Sequence, residues 1–377
     1  MDPRYEITRY QDGHKEQVLR LQQHLWSRDA ALNRAYFGWK YESNPYLPDP
    51  AICLALHQGE VVGMRGIVGA RWRLGTAGRT QDLPFTDDFV IAPEHRDQGL
   101  ASSLIHATFG YAAELGYPFL LSLRAGHITL LASLAAGYQS IGAMEPVGLI
   151  RRRRAPFYRV TQRLQGRRFV WRFANASLLR APSDRRPFHV LDRTGQEPGP
   201  RPYPHISIGR EPRPDAMADL VERLPEDDRI QHVRDREFFD WVFRNPRLDY
   251  RFLYWTGERL DGYLVLHREL PPRPGPVSVW VSDWEGTDDA ICRELLETAV
   301  SGRFARIATW TATFPESSKA LLDMIGFEPT DLEARARGRP AALIRATRDD
   351  QLGREWELDG RRLLDLDSWR VRLLDQD

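Results

Sequence analysis

The sequence predicts an α/β (α+β) protein built from two consecutive copies of one fold. The chain has 377 residues, more than one ordinary hydrophobic core accommodates, so typical domain sizes favour two domains. The segment Phe37–Pro45, which contains a Trp and ends in Asn-Pro, is echoed by Phe239–Pro246. Because several matched positions occur in the same order, duplication explains the echo better than chance does.

Each of these two segments stands between the same predicted elements. A short strand and an amphipathic helix precede it, and a β-hairpin follows it. In the first copy the strand covers 5–11, the helix 15–26 and the hairpin 52–70, with its turn at Gly59-Glu60. In the second copy they cover 206–211, 215–224 and 250–267, with the turn at Gly257-Glu258. The shared surroundings strengthen the prediction of two related domains.

The composition is that of a folded, soluble protein. Hydrophobic residues make up 42% and charged residues 28% of the chain, and the net charge of +1 suggests no particular partner. Cys53 and Cys292 have no second Cys or His at zinc-ligand spacing, so we expect no metal. No signal sequence is visible, and no apolar stretch reaches the about 20 residues that cross a bilayer. We therefore expect a cytoplasmic protein.

An arginine-rich segment separates the two predicted copies. Arg151–Arg186 holds twelve arginines against one acid, Asp184, and Pro-rich sequence continues to Pro204. The predicted division is a first domain at 1–150, a linker at 151–204 and a second domain at 205–377. The linker could be a solvated connector, a contact with an anionic membrane surface, or a site for an anionic polymer or nucleotide-sugar phosphate. No nucleic-acid-binding module is recognised, so nucleic acid is not an expected partner.

A strand, a tight loop and a helix follow one another in the first copy. The strand pattern covers 86–91, Pro93 ends it, and the loop Arg96–Ala101 leads into a helix pattern at 102–115. A helix N-terminus offers unpaired backbone N–H groups and a partial positive charge, so it binds a pyrophosphate that can approach closely. Gly99 and Ala101 allow that approach. The order of elements predicts a phosphate site.

This succession resembles the GNAT acyltransferases, whose signature is Gln or Arg, two residues, Gly, one residue, then Gly or Ala. Arg96, Gly99 and Ala101 meet it, a strand at 119–123 follows the helix, and a closing helix ends at Gly137-Tyr138, where the family usually has Gly-Phe. The resemblance implies two tandem GNAT folds, each a mixed, mostly antiparallel sheet flanked by helices. It also implies an N-acyltransferase that uses acetyl-CoA or another acyl-CoA as co-substrate.

The resemblance assigns the cofactor contacts by position. Backbone groups on the motif strand would pair with the pantetheine arm, and the loop and first helical turn would hold the pyrophosphate. The residues so implied are Phe89, Val90, Ile91, Arg96, Asp97, Gln98, Gly99, Leu100, Ala101 and Ser102.

The implied reaction is attack of an amine on the thioester, which needs a base, oxyanion donors and an acid for the thiolate. Asp88 is the first candidate base, because burial raises a carboxyl pKa towards neutrality. Strand alternation places Asp87 on the opposite face and cannot say which of the two lines the cleft. His127 is the second candidate. The family's usual acid, a Tyr, is replaced by Ser133, which leaves water, Ser133 or Tyr138 for that role.

Two interpretations are open for Trp39, Tyr41 and Asn44. They could frame the acceptor, or they could fill the core, which the recurrence of the same pattern in the second copy favours. That second copy has the acidic segment Ser282–Asp289 where the phosphate loop would be, so we expect it not to bind CoA. It retains a closing helix and Gly326-Phe327, which resembles a degenerate GNAT domain.

The function predicted from these observations is N-acylation of the amine of a small molecule. Tandem GNAT chains with a Trp and an Asn-Pro pattern resemble proteins of bacterial cell-envelope pathways, which makes an amino sugar a candidate acceptor. The alternative is a non-catalytic CoA-binding or scaffold protein, peripheral to a membrane.

Overall fold

The computed structural model describes residues 4–125, 127–150, 188, 203–270, 278–302, 304–330, 341–348 and 356–376. Within these ranges two seven-stranded mixed sheets are flanked by helices, and a four-stranded sheet accompanies them. Each large sheet is mostly antiparallel with one parallel pair of neighbouring strands. This confirms the predicted fold class. Arg151–Arg186 lies outside the described residues, so its predicted roles stay predictions.

The first half of the chain holds nine strands and four α-helices among the described residues. They are β1 Tyr5–Arg9, α1 Lys15–Gln22, α2 Ala30–Phe37, β2 Ala51–His57, β3 Glu60–Val68, β4 Arg71–Leu74, β5 Thr80–Asp82, β6 Phe85–Ile91, α3 Leu100–Glu114, β7 Phe119–Ala125, α4 His127–Ala135, β8 Gln139–Ala143 and β9 Pro146–Ile150.

The second half has a partly similar order among the described residues, but a strand stands between its first two helices, the counterparts of β4 and β5 are absent from its described part, and further strands follow at its end. Its elements are β10 Ile206–Gly209, α5 Pro214–Arg223, β11 Ile230–His232, α6 Arg236–Val242, β12 Leu248–Thr256, β13 Leu260–Glu269, β14 Ser278–Gly286, α7 Asp289–Ser301, β15 Arg306–Trp310, α8 Glu316–Ile325, β16 Glu328–Pro329, β17 Ala341–Ala346, β18 Glu357–Leu358, β19 Arg361–Arg362 and β20 Trp369–Arg370. No helix in the described ranges is long and apolar enough to cross a membrane.

The two large sheets exchange a strand. The first runs β1-β2-β3-β6-β7-β17-β8, so a strand from the end of the chain lies between two strands of the first half. The second runs β10-β12-β13-β14-β15-β9-β16, so β9 lies in the sheet of the second half. Ile344 pairs with Leu121 in one sheet, and Gly148 with Ala308 in the other. Each sheet is therefore complete only when both halves are present.

We expect residues 1–150, produced alone, not to fold cooperatively. Without β17, strands β7 and β8 lose their shared neighbour and the backbone groups that pair with it become unsatisfied. Thermal denaturation followed by circular dichroism would show a broad, shallow change instead of a single sigmoidal transition. A sharp transition from this fragment would mean that the exchange is not needed for folding.

The repeated segments contact each other at the junction of the two halves. Trp39 and Trp241 stack with ring centroids 5.0 Å apart and planes 7° apart. The Trp39 indole N–H donates to the carbonyl of Trp241 at 2.8 Å, and the Trp241 indole returns the bond to the carbonyl of Trp39 at 3.0 Å. The corresponding positions of the two segments thus make reciprocal contacts, which is the arrangement expected of an approximate two-fold relation between the halves.

The four-stranded sheet also joins the halves. Its order is β20-β11-β4-β5, so two strands come from each half. Trp72 of β4 and Trp369 of β20 are fully buried against each other, with ring centroids 5.5 Å apart, and Ile230 of β11 belongs to the same apolar cluster. Burial of such large rings in one shared core holds the halves together without a disulfide.

Candidate active site

Strands β6 and β7 separate soon after they begin to pair. Within the described residues their parallel register contains the one pair Phe85 and Leu121, although both strands continue further. Val90 and Ile91 pair with β3 on one side and have no β7 partner on the other in that part of the chain. The carboxyl half of β6 therefore has a backbone edge that an extended ligand could pair with, as the pantetheine assignment for Phe89, Val90 and Ile91 requires.

A β-bulge in β6 changes which side chains meet. The register of β3 against β6 shifts between Met64 and Gly66, and Asp88 has a φ of 53°, in the left-handed region. The Lys40 ammonium consequently contacts the carboxylates of both Asp87 and Asp88. The expectation that these two side chains lie on opposite faces of the strand was wrong, because alternation holds only for regular strands.

Asp88 is completely buried and fully engaged. Its carboxylate accepts hydrogen bonds from Gln22 Nε2 at 2.9 Å, Trp26 Nε1 at 3.0 Å and Lys40 Nζ at 3.0 Å. Burial raises the pKa of Asp88, and the Lys40 ammonium acts against that shift. Asp87 differs, since 35% of its side chain is exposed. Asp88 therefore acts as a buried anchor, and Asp87 presents the more accessible carboxylate.

Lys40 is the counter-charge of this pair. Its side chain is only 1% exposed. Burial would lower the pKa of Lys40, but Asp87 and Asp88 outweigh burial and hold that pKa well above its usual value. Sequence reasoning missed Lys40, although two signals were available: it is one of three lysines in the chain, and Val242 replaces it in the second segment.

The predicted phosphate loop has the backbone that the prediction needs. Asp97 and Gly99 have positive φ values of 61° and 77°, and α3 begins at Leu100. No side chain caps this helix, and its first turn contains no acidic residue. Arg96 turns back, and its Nε donates to the Ile91 carbonyl at 3.1 Å. The N–H groups and partial positive charge at the start of α3 are therefore not neutralised by a carboxylate of its own first turn or cap.

The corresponding helix of the second half begins differently. Asp288 caps α7, and its Oδ1 accepts from the backbone N–H of Ile291 at 2.9 Å. Asp289 adds a second carboxylate to the first turn. A helix start that already carries two negative charges repels a pyrophosphate, which supports the prediction that this half does not bind CoA.

The other predicted residues lie in varied settings. Trp39, Tyr41 and Asn44 are all buried. The Asn44 side chain bonds the backbone of Gly69, Tyr46 and Leu47, which is a loop-stabilising role. These positions offer an acceptor little surface, so the core interpretation describes them better. His127 is the first residue of α4, and its side chain lies outside what the structure describes.

Ser133, at the position where the GNAT resemblance implies a tyrosine acid, is also buried. Its hydroxyl has no hydrogen-bond partner among the described residues.

An aromatic and cationic surface, missed from the sequence, borders the carboxylate pair. Trp26, whose indole bonds Asp88, is half-buried, and the Arg247 guanidinium lies 3.9 Å from its ring centroid. Arg247 also lies 4.9 Å from the ring of Tyr36. Because Arg247 comes from the second half of the chain, both halves border this side of the site.

Asp283 occupies the position in β14 that Asp88 has in β6. Its carboxylate accepts from Tyr263 Oη at 2.6 Å and Arg234 Nη1 at 3.2 Å, and all three side chains are buried. The C-terminal segment adds Arg372 and Asp375 to this network, with the Arg372 backbone N–H donating to Asp375 at 2.7 Å. The network occupies, in the second half, the position that the cluster of Asp87, Asp88 and Lys40 has in the first half.

Asp375 gives the protein a specific pH dependence. Burial raises its pKa to about 6, although Arg372 acts against the shift. A carboxyl whose pKa is raised by folding contributes stability below its ordinary pKa, and that contribution is lost as the pH rises through about 6. The difference in free energy of unfolding between Asp375→Asn and the wild type should therefore shift in favour of the variant by on the order of 3 kcal/mol as the pH rises from 4 to 7. Urea unfolding at the two pH values measures this shift. A difference that does not change with pH would contradict this.

Comparison with known proteins finds a family model that matches part of the chain. Residues 16–130 match the family model described as the acetyltransferase (GNAT) family. Among solved structures, the N-myristoyltransferase of Saccharomyces cerevisiae with bound myristoyl-CoA aligns with a TM-score of 0.55 at 10% identity, over 91% of this chain and 78% of that one. A search of curated protein sequences found no significant match.

Two further solved structures show the same fold. A GCN5-related N-acetyltransferase from Anabaena variabilis aligns with a TM-score of 0.54 at 12% identity, over 92% of this chain and 73% of that one. A conserved protein of unknown function from Enterococcus faecalis, described as a probable N-acyltransferase, aligns with a TM-score of 0.53 at 9% identity, over 91% of this chain and 73% of that one. At these identities the likeness concerns the fold, which spans nearly the whole of this chain.

Proposed function

We propose that the chain is an acyl-CoA-dependent N-acyltransferase that acts on the amine of a small molecule, because residues 16–130 match the GNAT acetyltransferase family model. Acetyl-CoA is the donor to test first, and amino sugars are the first acceptors. The observation that carries the proposal is the start of α3, with no acidic residue in its cap or first turn, beside the part of β6 that has no β7 partner among the described residues. In that combination, the helix N-terminus could bind the pyrophosphate of CoA, and the strand edge could pair with its extended pantetheine arm.

The side chains nearest this edge have distinct roles in the proposed reaction. The amine nitrogen attacks the thioester carbonyl carbon, the C–S bond breaks, and its electrons leave with sulfur. The amine must lose a proton, and Asp87, directly or through one water, is the accessible acceptor for it. Lys40 and Asp88, which are both buried, hold Asp87 in position. Asp88 itself could act as a base only by giving up bonds to Gln22, Trp26 and Lys40.

The acceptor would lie against the half-buried face formed by Trp26 and Arg247. An aromatic ring supplies a surface for the apolar face of a sugar, and the Arg247 guanidinium supplies hydrogen-bond donors for hydroxyl or phosphate oxygens. The second half, which has an acid-capped helix in place of a phosphate loop, would then serve the reaction by completing the acceptor side.

Isothermal titration of acetyl-CoA into the full chain tests the cofactor claim, and a free-thiol assay across a panel of amines, amino sugars included, tests turnover. We expect binding with a 1:1 ratio and acceptor-dependent release of thiol. Absence of binding would rule out the proposed function.

A second candidate function is CoA binding without turnover. Its support is that Asp88 is saturated with hydrogen bonds and that Ser133 stands where the family has its acid. Acetyl-CoA binding with no acceptor-dependent thiol release across the panel would favour this candidate over the enzyme.

A further inference from the structure

Among the described residues, Arg65 is a buried cation without a counter-charge. It lies on β3, and its residue is 1% exposed. Its Nη2 donates to Thr86 Oγ1 at 3.0 Å and to Tyr138 Oη at 3.2 Å. Its Nε and Nη1 have no hydrogen-bond partner, and no carboxylate pairs with it in the part of the chain that the structure describes. A charged group left in this state is costly, so its presence requires a reason.

The fold itself does not need an arginine here. Gly63 on β3 pairs with Ile91 in the first sheet, and Gly262 on β13 pairs with Gly286 in the second sheet. Arg65 and Leu264 each lie two residues after these glycines, so they occupy corresponding positions in the two sheets. Leu264 is fully buried in an apolar cluster. At this position the second half, whose helix α7 is capped by Asp288, has a leucine. The first half, whose helix α3 has no side-chain cap, has an arginine without a carboxylate partner among the described residues.

The guanidinium lies where β6 and β7 separate. Thr86, which accepts from Arg65, donates its hydroxyl to the Leu121 carbonyl at 3.3 Å, beside the last described pair of the two strands. The Arg65 guanidinium also lies 5.1 Å from the ring centroid of Phe89. It therefore borders β6 at the end that is remote from the start of α3.

This position fixes which part of a bound CoA would meet Arg65. If the pyrophosphate binds at the start of α3, beyond the end of β6 at Ile91, the pantetheine arm would run back along β6 towards Phe89. The sulfur is at the far end of that arm. It would arrive beside Phe89, whose ring centroid lies 5.1 Å from the guanidinium of Arg65.

We propose that Arg65 stabilises the thiolate of CoA as the acyl group leaves; this rests on the proposed function. When the amine attacks and the C–S bond breaks, sulfur takes the electron pair, and the guanidinium donates hydrogen bonds to it without giving up a proton. The thiolate takes its proton from water after release. Arg65 thereby does electrostatically what the family's tyrosine, absent at Ser133, does by proton transfer.

The test reads the thiol itself and needs no acceptor. CoA is bound to the full-length protein, and thiolate formation is followed by ultraviolet absorbance as the pH is raised. A thiol has an ordinary pKa of about 8.5, and a neighbouring cation lowers it by about one unit or more. We expect this downward shift with the wild type, a smaller shift with Arg65→Lys, and no shift with Arg65→Leu.

The protein's own thiols do not disturb this readout. Burial raises the pKa of Cys292 to about 12, and burial also raises the pKa of Cys53. A matched control is Arg251→Leu, which removes a buried arginine that is paired with Asp249 in the second sheet. It should leave the titration of bound CoA unchanged. Because Leu264 fits the corresponding position, we expect Arg65→Leu to fold with an unchanged or higher Tm.

The outcomes separate the two proposals. If the wild type binds no CoA, the proposed function and this inference fall together. If CoA binds and its thiol titrates identically in wild type and Arg65→Leu, the inference fails and the proposed function stands. A loss of affinity by Arg65→Leu for a dicarboxylic acyl-CoA, with an unchanged thiol titration, would assign the guanidinium to an acyl carboxylate and also overturn the inference.

Discussion

A Lys40→Met variant is expected to lose about 3–5 kcal/mol of the free energy of unfolding. The ammonium is buried with one completely buried carboxylate, Asp88, and one half-buried carboxylate, Asp87. Removing the only lysine of this cluster leaves a negative charge in an environment that cannot solvate it. Urea unfolding at pH 7 measures the loss. Lys319→Met, which breaks an exposed pair with Glu316, is the control and should cost less than about 1 kcal/mol.

The pH dependence of this loss follows from the directions of the pKa shifts. The raised pKa of Lys40 means that its contribution is fully present below the ordinary lysine pKa and is lost only as the pH rises through the higher folded value. In Lys40→Met the pKa of Asp88 rises further, because burial then acts unopposed by Lys40. The deficit should therefore shrink at acid pH, as Asp88 takes up a proton.

A double variant checks the cause. Lys40→Met with Asp88→Asn removes both charges of the pair and should recover much of the stability lost by Lys40→Met alone. Equal losses for the single and double variants, or a single-variant loss as small as that of Lys319→Met, would show that the cluster is not an ion pair of consequence.

A Ser102→Asp variant is expected to weaken CoA binding on the order of 100-fold while leaving the fold intact. Ser102 lies exposed in the first turn of α3. A carboxylate there repels the pyrophosphate, yet it interacts favourably with the helix dipole and should add about 0.3–1 kcal/mol of stability. Affinity and stability thus move in opposite directions, which a general loss of structure cannot produce. Calorimetric titration and thermal denaturation measure the two quantities.

Two matched variants accompany Ser102→Asp. Ser102→Ala changes the same position without adding charge and should keep CoA affinity within a few-fold. Asp288→Ala removes the cap of α7, costs about 1 kcal/mol, and should not alter CoA binding. Retained affinity in Ser102→Asp would mean that the start of α3 does not hold the phosphates.

Local features of the site could be predicted from the sequence, because each depends on a few neighbouring residues. The strand at β6, the turn at Gly99 and the helix α3 follow from hydrophobic pattern, the need for a positive φ and the helix-start composition. The acidic cap of α7 followed in the same way from Asp288 and Asp289. These elements were placed within a few residues of their observed bounds.

Features that depend on distant parts of the chain could not be predicted. The insertion of β17 beside β7 joins Ile344 to Leu121, and no local pattern specifies such a pairing. The bulge at Asp88 requires an uncommon left-handed conformation for an aspartate, so alternation gave the wrong face for Asp87. Lys40 meets Asp87 and Asp88 across 47 and 48 residues of sequence, and Arg247 reaches Trp26 from the second half, so tertiary structure determines both contacts.

The central claim is that the chain has one CoA site, at the start of α3. Calorimetric titration of CoA into wild type, Ser102→Asp and Asp288→Ala measures the stoichiometry directly. We expect one CoA per chain in the wild type, binding weakened on the order of 100-fold in Ser102→Asp, and one CoA per chain in Asp288→Ala. Two CoA per chain in the wild type, or undiminished binding by Ser102→Asp, would contradict it.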